Sequence, residues 1–147
     1  MATTATITLA SDISAAYSGY SKTMTLTKAD TNNDIEETTG FSRRKLASTS
    51  AVDLIRMADA SLLQETADAK AAKVFVQNVG DGKGNIDKST YVTISIGDTG
   101  GTPQEIGRLY GGDWAMFPVT GADDKDVVAT PSTDDAVVLE YVMFFEV

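Results

Sequence analysis

The run AVVLEYVMFFEV that closes the sequence constrains the fold more than any other stretch. Val137, Leu139, Tyr141, Met143, Phe145 and Val147 are apolar at a strict period of two, the spacing of one face of a β-strand. The alternate positions Val138, Val142 and Phe144 are apolar as well, relieved only by Glu140 and Glu146. A strand that is apolar on both sides aggregates when left in water. This segment must therefore be a central strand covered on both sides, or must use its second side as an assembly surface.

Period-two patterning recurs along the chain. Thr4, Thr6 and Thr8 alternate with Ala5, Ile7 and Leu9, and Thr23, Thr25 and Thr27 alternate with Met24 and Leu26. Two half-buried strands are expected there, with threonine chosen for its fit to a pleated surface rather than for hydroxyl chemistry. Residues 30–40 read as an exposed Asx-rich loop, and Phe41 to Ala47 as a short strand carrying Arg43, Arg44 and Lys45. Val74-Phe75-Val76 and Tyr91 to Ile96 are expected as neighbouring antiparallel strands joined by the turn-rich GDGKGN. Ile106 to Tyr110 and Trp114 to Val119 read as strands meeting at a hairpin or bulge at Gly111-Gly112, and Val127-Val128-Ala129 as a further short strand.

Residues 51–72 support two readings. They lack Gly and Pro, and Ser50 with Asp53 approximates a capping box ahead of Ala51, Ile55, Ala58 and Leu62, which share one helical face. Equally, Val52, Leu54 and Arg56 alternate with Asp53, Ile55 and Met57 as in a strand. The expected fold is mainly β: a single antiparallel β-sandwich or jelly-roll-like barrel over residues 1–147, with at most one helix around residues 51–72. Within it, residues 73–147 are expected to form the sandwich core.

Composition removes most chemistry. The 147 residues contain neither Cys nor His, which excludes thiol nucleophiles, disulfides, imidazole proton shuttles and nearly every zinc or copper site. With 12 basic against 21 acidic side chains the net charge is −9, so binding to a phosphate backbone is not expected. Residues 1–45 carry five side chains of each sign, and the remaining 7 basic and 16 acidic ones supply the whole −9. MATTATITLA lacks the features of an export leader, and no run of 18 apolar residues occurs, so no membrane span is expected.

Apparent motifs fail in detail. Asp30, Asn32 and Asp34 mimic the first ligands of a calcium loop, yet Ile35 stands where glycine is needed and Phe41 where the bidentate glutamate belongs. Asp81, Lys83, Asn85 and Asp87 place a lysine at a ligand position. GDGKG lacks the spacing of a phosphate loop. Asp123-Asp124 and Asp134-Asp135 read as solvated turn charges rather than a glycosidase pair. No catalytic, metal-binding or cofactor-binding residue is expected. Tyr110 and Trp114 are the candidates for a sugar-stacking platform. The cluster Arg43, Arg44 and Lys45 suits an acidic protein surface, and with the apolar second side Val138, Val142 and Phe144 it makes the candidate partner contact.

The later half of the chain resembles the small accessory structural proteins of tailed-bacteriophage virions, the capsid decoration or cement type. The likeness runs through Lys73 to Asn78, Tyr91 to Gly97, Arg108 to Pro118 and Leu139 to Phe144. It implies a non-enzymatic β-sandwich made in the host cytoplasm and carried in many copies on the capsid surface. Its implied partners are the major capsid protein or other virion proteins, with a possible homo-oligomer. On this reading the charge-neutral segment 1–45 docks on the shell and the acidic body faces solvent. The alternative is a tail, fibre or host-glycan-binding adhesin that uses Tyr110 and Trp114.

Overall fold

The computed structural model describes residues 3–9, 20–26, 37–57, 71–81, 85–121, 124–134 and 137–145. These form the strands β1 (Thr3–Leu9), β2 (Tyr20–Leu26), β3 (Glu37–Thr38), β4 (Ser42–Leu46), β5 (Val52–Ile55), β6 (Ala71–Asn78), β7 (Tyr91–Ile96), β8 (Gln104–Tyr110), β9 (Trp114–Thr120), β10 (Val127–Pro131) and β11 (Val137–Phe145). The fold is mainly β, an antiparallel sandwich of two sheets. One sheet runs β5-β10-β7-β8; the other runs β3-β11-β6-β9, with β4 also paired to β11. Among the described residues no helix is present, and none is long and apolar enough to cross a membrane. The strands β1 and β2 pair with each other and with neither sheet.

The closing strand is central, the first of the two readings its pattern allows. β11 has β6 on one side and β3 and β4 in succession on the other. Its inward set, Val137, Leu139, Met143 and Phe145, is at most 4% exposed and meets Val74, Val76 and Ala72 of β6 and Leu46 of β4. Facing them from the other sheet are Val92 and Ile94 of β7, Leu109 of β8, and Val127 and Ala129 of β10. Two period-two faces thus close on each other to make one core.

Several expectations are corrected by the pairing. β6 and β7 are not neighbours: β6 lies between β11 and β9, and β7 between β10 and β8, in opposite sheets. Strongly apolar strands look adjacent in sequence whether they share a sheet or face each other across the core. Nor is Gly111-Gly112 the tip of a hairpin, because β8 and β9 belong to different sheets and the turn carries the chain across the sandwich edge. Gly112 holds φ +92 there, a conformation that side chains disfavour, and its N–H donates to the Asn78 carbonyl at 2.8 Å. The Asn78 side chain, 1% exposed, spans the two sheets by donating to the Leu109 carbonyl at 3.0 Å and accepting from the Gly80 N–H at 2.9 Å.

The helical reading of residues 51–72 gives way to strand over Val52–Ile55, where β5 ladders onto β10; residues 58–70 lie outside the described residues. Tertiary pairing has overridden local helix propensity. Glu37–Thr38 extends pairing into what reads as loop, so the sandwich begins at β3 rather than at residue 73. The candidate calcium-loop positions Asp30, Asn32 and Asp34, and the carboxylates Asp123 and Asp135, lie outside the described residues.

Candidate functional site

Cross-strand register orders the outer face of the five-stranded sheet, since residues opposite each other in a ladder share a side. Phe144 stands beside Thr38 and Lys73, and Lys73 beside Pro118. In the next row Val142 stands beside Phe75, and Phe75 beside Met116. The row after that runs Arg43, Glu140, Gln77, Trp114, and Lys45 stands beside Val138. This is an apolar surface ringed by three cations and one carboxylate.

The aromatic rings form a continuous band. Phe41 meets Phe75 edge-on at 6.2 Å between centroids, and Phe75 stacks with Trp114 at 6.1 Å and 29°. The outer members are open to solvent: Phe41 is 73% exposed and Trp114 49%. Phe75, Met116 and Phe144 are half-buried, while Val142 is buried at the centre. Trp114 reaches this place because the crossing turn delivers it. Within that turn the Asp113 N–H donates to the Tyr110 carbonyl, and an Asp113 carboxylate oxygen accepts from the Tyr110 N–H at 3.0 Å.

Phe41 is placed by a bulge. Thr38 pairs with Phe144 but Ser42 pairs with Tyr141, so one more residue lies between them on this edge than on β11. Gly40 takes φ +72 at that point, and the Thr39 N–H and hydroxyl oxygen bind the backbone of Met143.

The basic triplet does not act as one patch. Alternation sends Arg43 and Lys45 to the outer face, where Arg43 lies 3.6 Å from Glu140. Arg44 occupies the intervening position and donates from Nη1 to the Asp53 carbonyl at 2.6 Å. Of the apolar trio, Phe144 is half-buried, whereas Val138 and Val142 are 5% and 2% exposed; the chain itself covers these two. Trp114 and Tyr110 serve different sheets. Tyr110 pairs with Tyr91 at 5.4 Å, with the Arg108 guanidinium 4.6 Å from the Tyr91 ring, while Trp114 stacks on Phe75. Reasoning from sequence missed Phe41, Phe75 and Met116. Register alone gathers them, although the alternation of Phe75 with Val74 and Val76 carried the signal.

Among the described residues no group of three or more carboxylates is placed to hold a metal ion. The cleft beside β5, about 630 Å³, is lined by Arg44, Asp53, Arg56 and Thr99. Its guanidiniums bind the backbone and side chain of Asp53, with Arg56 Nε donating to the carboxylate at 2.9 Å. Burial, aided by the charges of Asp53 and Asp98, raises the pKa of Asp126 above the usual carboxylate value against the opposing hydrogen bond from the Met57 N–H. Asp87 and Asp124 move the other way, held ionised chiefly by the Ser89 hydroxyl and by the Lys125 ammonium.

No family model and no curated protein matches the chain. Among solved structures, one reported as Bacillus endospore appendages that form a novel family of disulfide-linked pili aligns with 76% of this chain and 90% of its own, at 16% identity and a TM-score of 0.46. At that level the likeness bears on neither the fold nor the role.

Proposed function

We propose that this chain is a non-enzymatic accessory structural protein of a bacteriophage virion, decorating or cementing the capsid shell through protein–protein contacts. The observation that carries this reading is the exposed aromatic band on a cation-ringed sheet face in a chain of net charge −9. Apolar surface of this kind marks an assembly site, and aromatic and arginine side chains are the usual anchors of such contacts. Phe41, Arg43 and Lys45 of the N-terminal portion join Phe75, Trp114, Met116 and Phe144 of the body on that face, which is the proposed contact side, while the opposite sheet turns to solvent.

Purified shells stripped of this protein provide the test. The double variant Phe41→Ser/Trp114→Ser is expected to keep the wild-type circular dichroism spectrum and to lose shell binding at least tenfold in co-sedimentation. Unchanged decoration by the folded variant overturns the reading.

A further inference from the structure

Two lysines on the aromatic face stand without a counter-charge. Arg43 has Glu140 at 3.6 Å, whereas neither Lys45 nor Lys73 has a carboxylate partner among the described residues, in a chain with 21 acidic against 12 basic side chains. Lys73 is half-buried and stands between Phe144 and Pro118 in the ladder; Lys45 is exposed beside Val138. From Phe144 to Val138 along β11 is roughly 20 Å, so the two ammonium groups border the apolar rows from opposite ends. Between those rows lie Val142, Phe75 and Met116.

Whatever covers the aromatic band takes these lysines out of water. Against an uncharged surface each becomes a desolvated cation with no counter-ion, which burial penalises. Against a carboxylate each becomes a charge-assisted pair. A second copy laid face to face brings the same three cations and one carboxylate, so like charges meet and the self-pair is disfavoured. A nucleic acid strand carries a phosphate at every nucleotide and is held by a groove that is basic along its length. This face has cations only at its borders, and the field of a chain of net charge −9 opposes every phosphate.

We propose that the occupant of this face is an acidic protein segment, with an apolar or aromatic anchor seated on the Phe41–Phe75–Trp114 band and carboxylates on either side of it that meet Lys45 and Lys73. This rests on the reading of that face as the contact side and names the chemistry of what it contacts. The lysines choose the partner and speed encounter. The rings, of which Phe41 is 73% and Trp114 49% exposed, hold it once docked.

The test uses the full chain as bait in selection from a display library of random peptides. The wild type is expected to enrich sequences of net negative charge with Asp or Glu on both sides of an aromatic or aliphatic residue. Lys45→Glu/Lys73→Glu is expected to enrich Lys and Arg in their place. Lys45→Gln/Lys73→Gln should lose the charge bias and keep the apolar anchor, and both variants should keep the wild-type circular dichroism spectrum. A synthetic peptide from the wild-type selection is expected to bind the Gln variant at least tenfold more weakly than wild type. Neutral or basic sequences from the wild type, no enrichment, or the same sequences from the charge-reversed variant overturn the proposal. So does a wild-type dimer that Phe41→Ser/Trp114→Ser breaks, or tighter binding of a single-stranded oligonucleotide than of that peptide. The two readings fail separately: acidic sequences enriched while stripped shells stay bare remove the shell and leave the partner chemistry, and shells bound alongside neutral sequences do the reverse.

Discussion

On the four-stranded sheet the outward positions include Tyr91, Thr93, Ser95, Thr130, Glu105, Arg108 and Tyr110, with buried Val128 and, at the β8 bulge, half-exposed Ile106 as apolar exceptions. On the five-stranded sheet they include Phe41, Phe75, Trp114, Met116, Val138, Val142 and Phe144, bordered by Arg43, Lys45, Lys73, Gln77 and Glu140. The inward positions of the two are alike: Val92, Ile94 and Ala129 on one, Val74, Val76 and Met143 on the other, all close to fully buried. A sandwich needs only its inner faces to be apolar. The surplus on one outer face exceeds what closing the sandwich requires, and on the proposed reading that face meets neighbours while the other meets water.

The largest effect that would break this comparison lies in the core. Met143→Ala removes a fully buried side chain and is expected to cost about 2–5 kcal/mol in urea unfolding. Phe41→Ser, on the outer face, should stay within about 0.5 kcal/mol. Comparable losses at both positions would mean that the outer face is structural after all. The join between the sheets comes next. Asn78→Ala deletes the amide that satisfies the Leu109 carbonyl and the Gly80 N–H, and is expected to cost about 1–3 kcal/mol by the same measurement.

The smallest effect is read from pH. The folded state holds the Asp126 proton more tightly than the unfolded chain does, because burial raises its pKa. Its contribution to stability is complete below the ordinary carboxylate value and is lost as pH rises through the raised one. Asp126→Asn keeps an acceptor for the Met57 N–H and removes this dependence. Its stability relative to wild type should therefore rise from acid to neutral pH, and a parallel pair of pH profiles would refute the assignment.

Residue patterns made part of this legible in advance. β11 could be placed centrally because nine residues in a row are apolar save Glu140 and no edge strand tolerates that. The splitting of Arg43, Arg44 and Lys45 between two sides was implicit in the same period of two. Pairing partners were not legible: nothing local to Val74 or Val92 says whether the two strands lie side by side or face to face, since both arrangements bury the same residues. The strand at Val52–Ile55 was ambiguous for a related reason, its stability coming from the ladder to Val127 and Ala129 more than seventy residues away. The proposed docking face combined both difficulties. Phe144 advertised it, but Phe41, Phe75 and Trp114 come from three separate strands or their ends and become neighbours only in the folded register.

The bulge at Gly40 has a consequence for how this surface can evolve. Thr38 and Arg43 look the same way although one is even-numbered and the other odd, so the single inserted residue resets the phase of the whole basic strand. Losing one residue there would swap wet for dry along β4, driving Arg43 and Lys45 toward the interior and throwing Leu46 outward. A frame-preserving codon deletion at this point would thus damage the protein more than most substitutions in it, and insertions and deletions across the bulge should come in pairs.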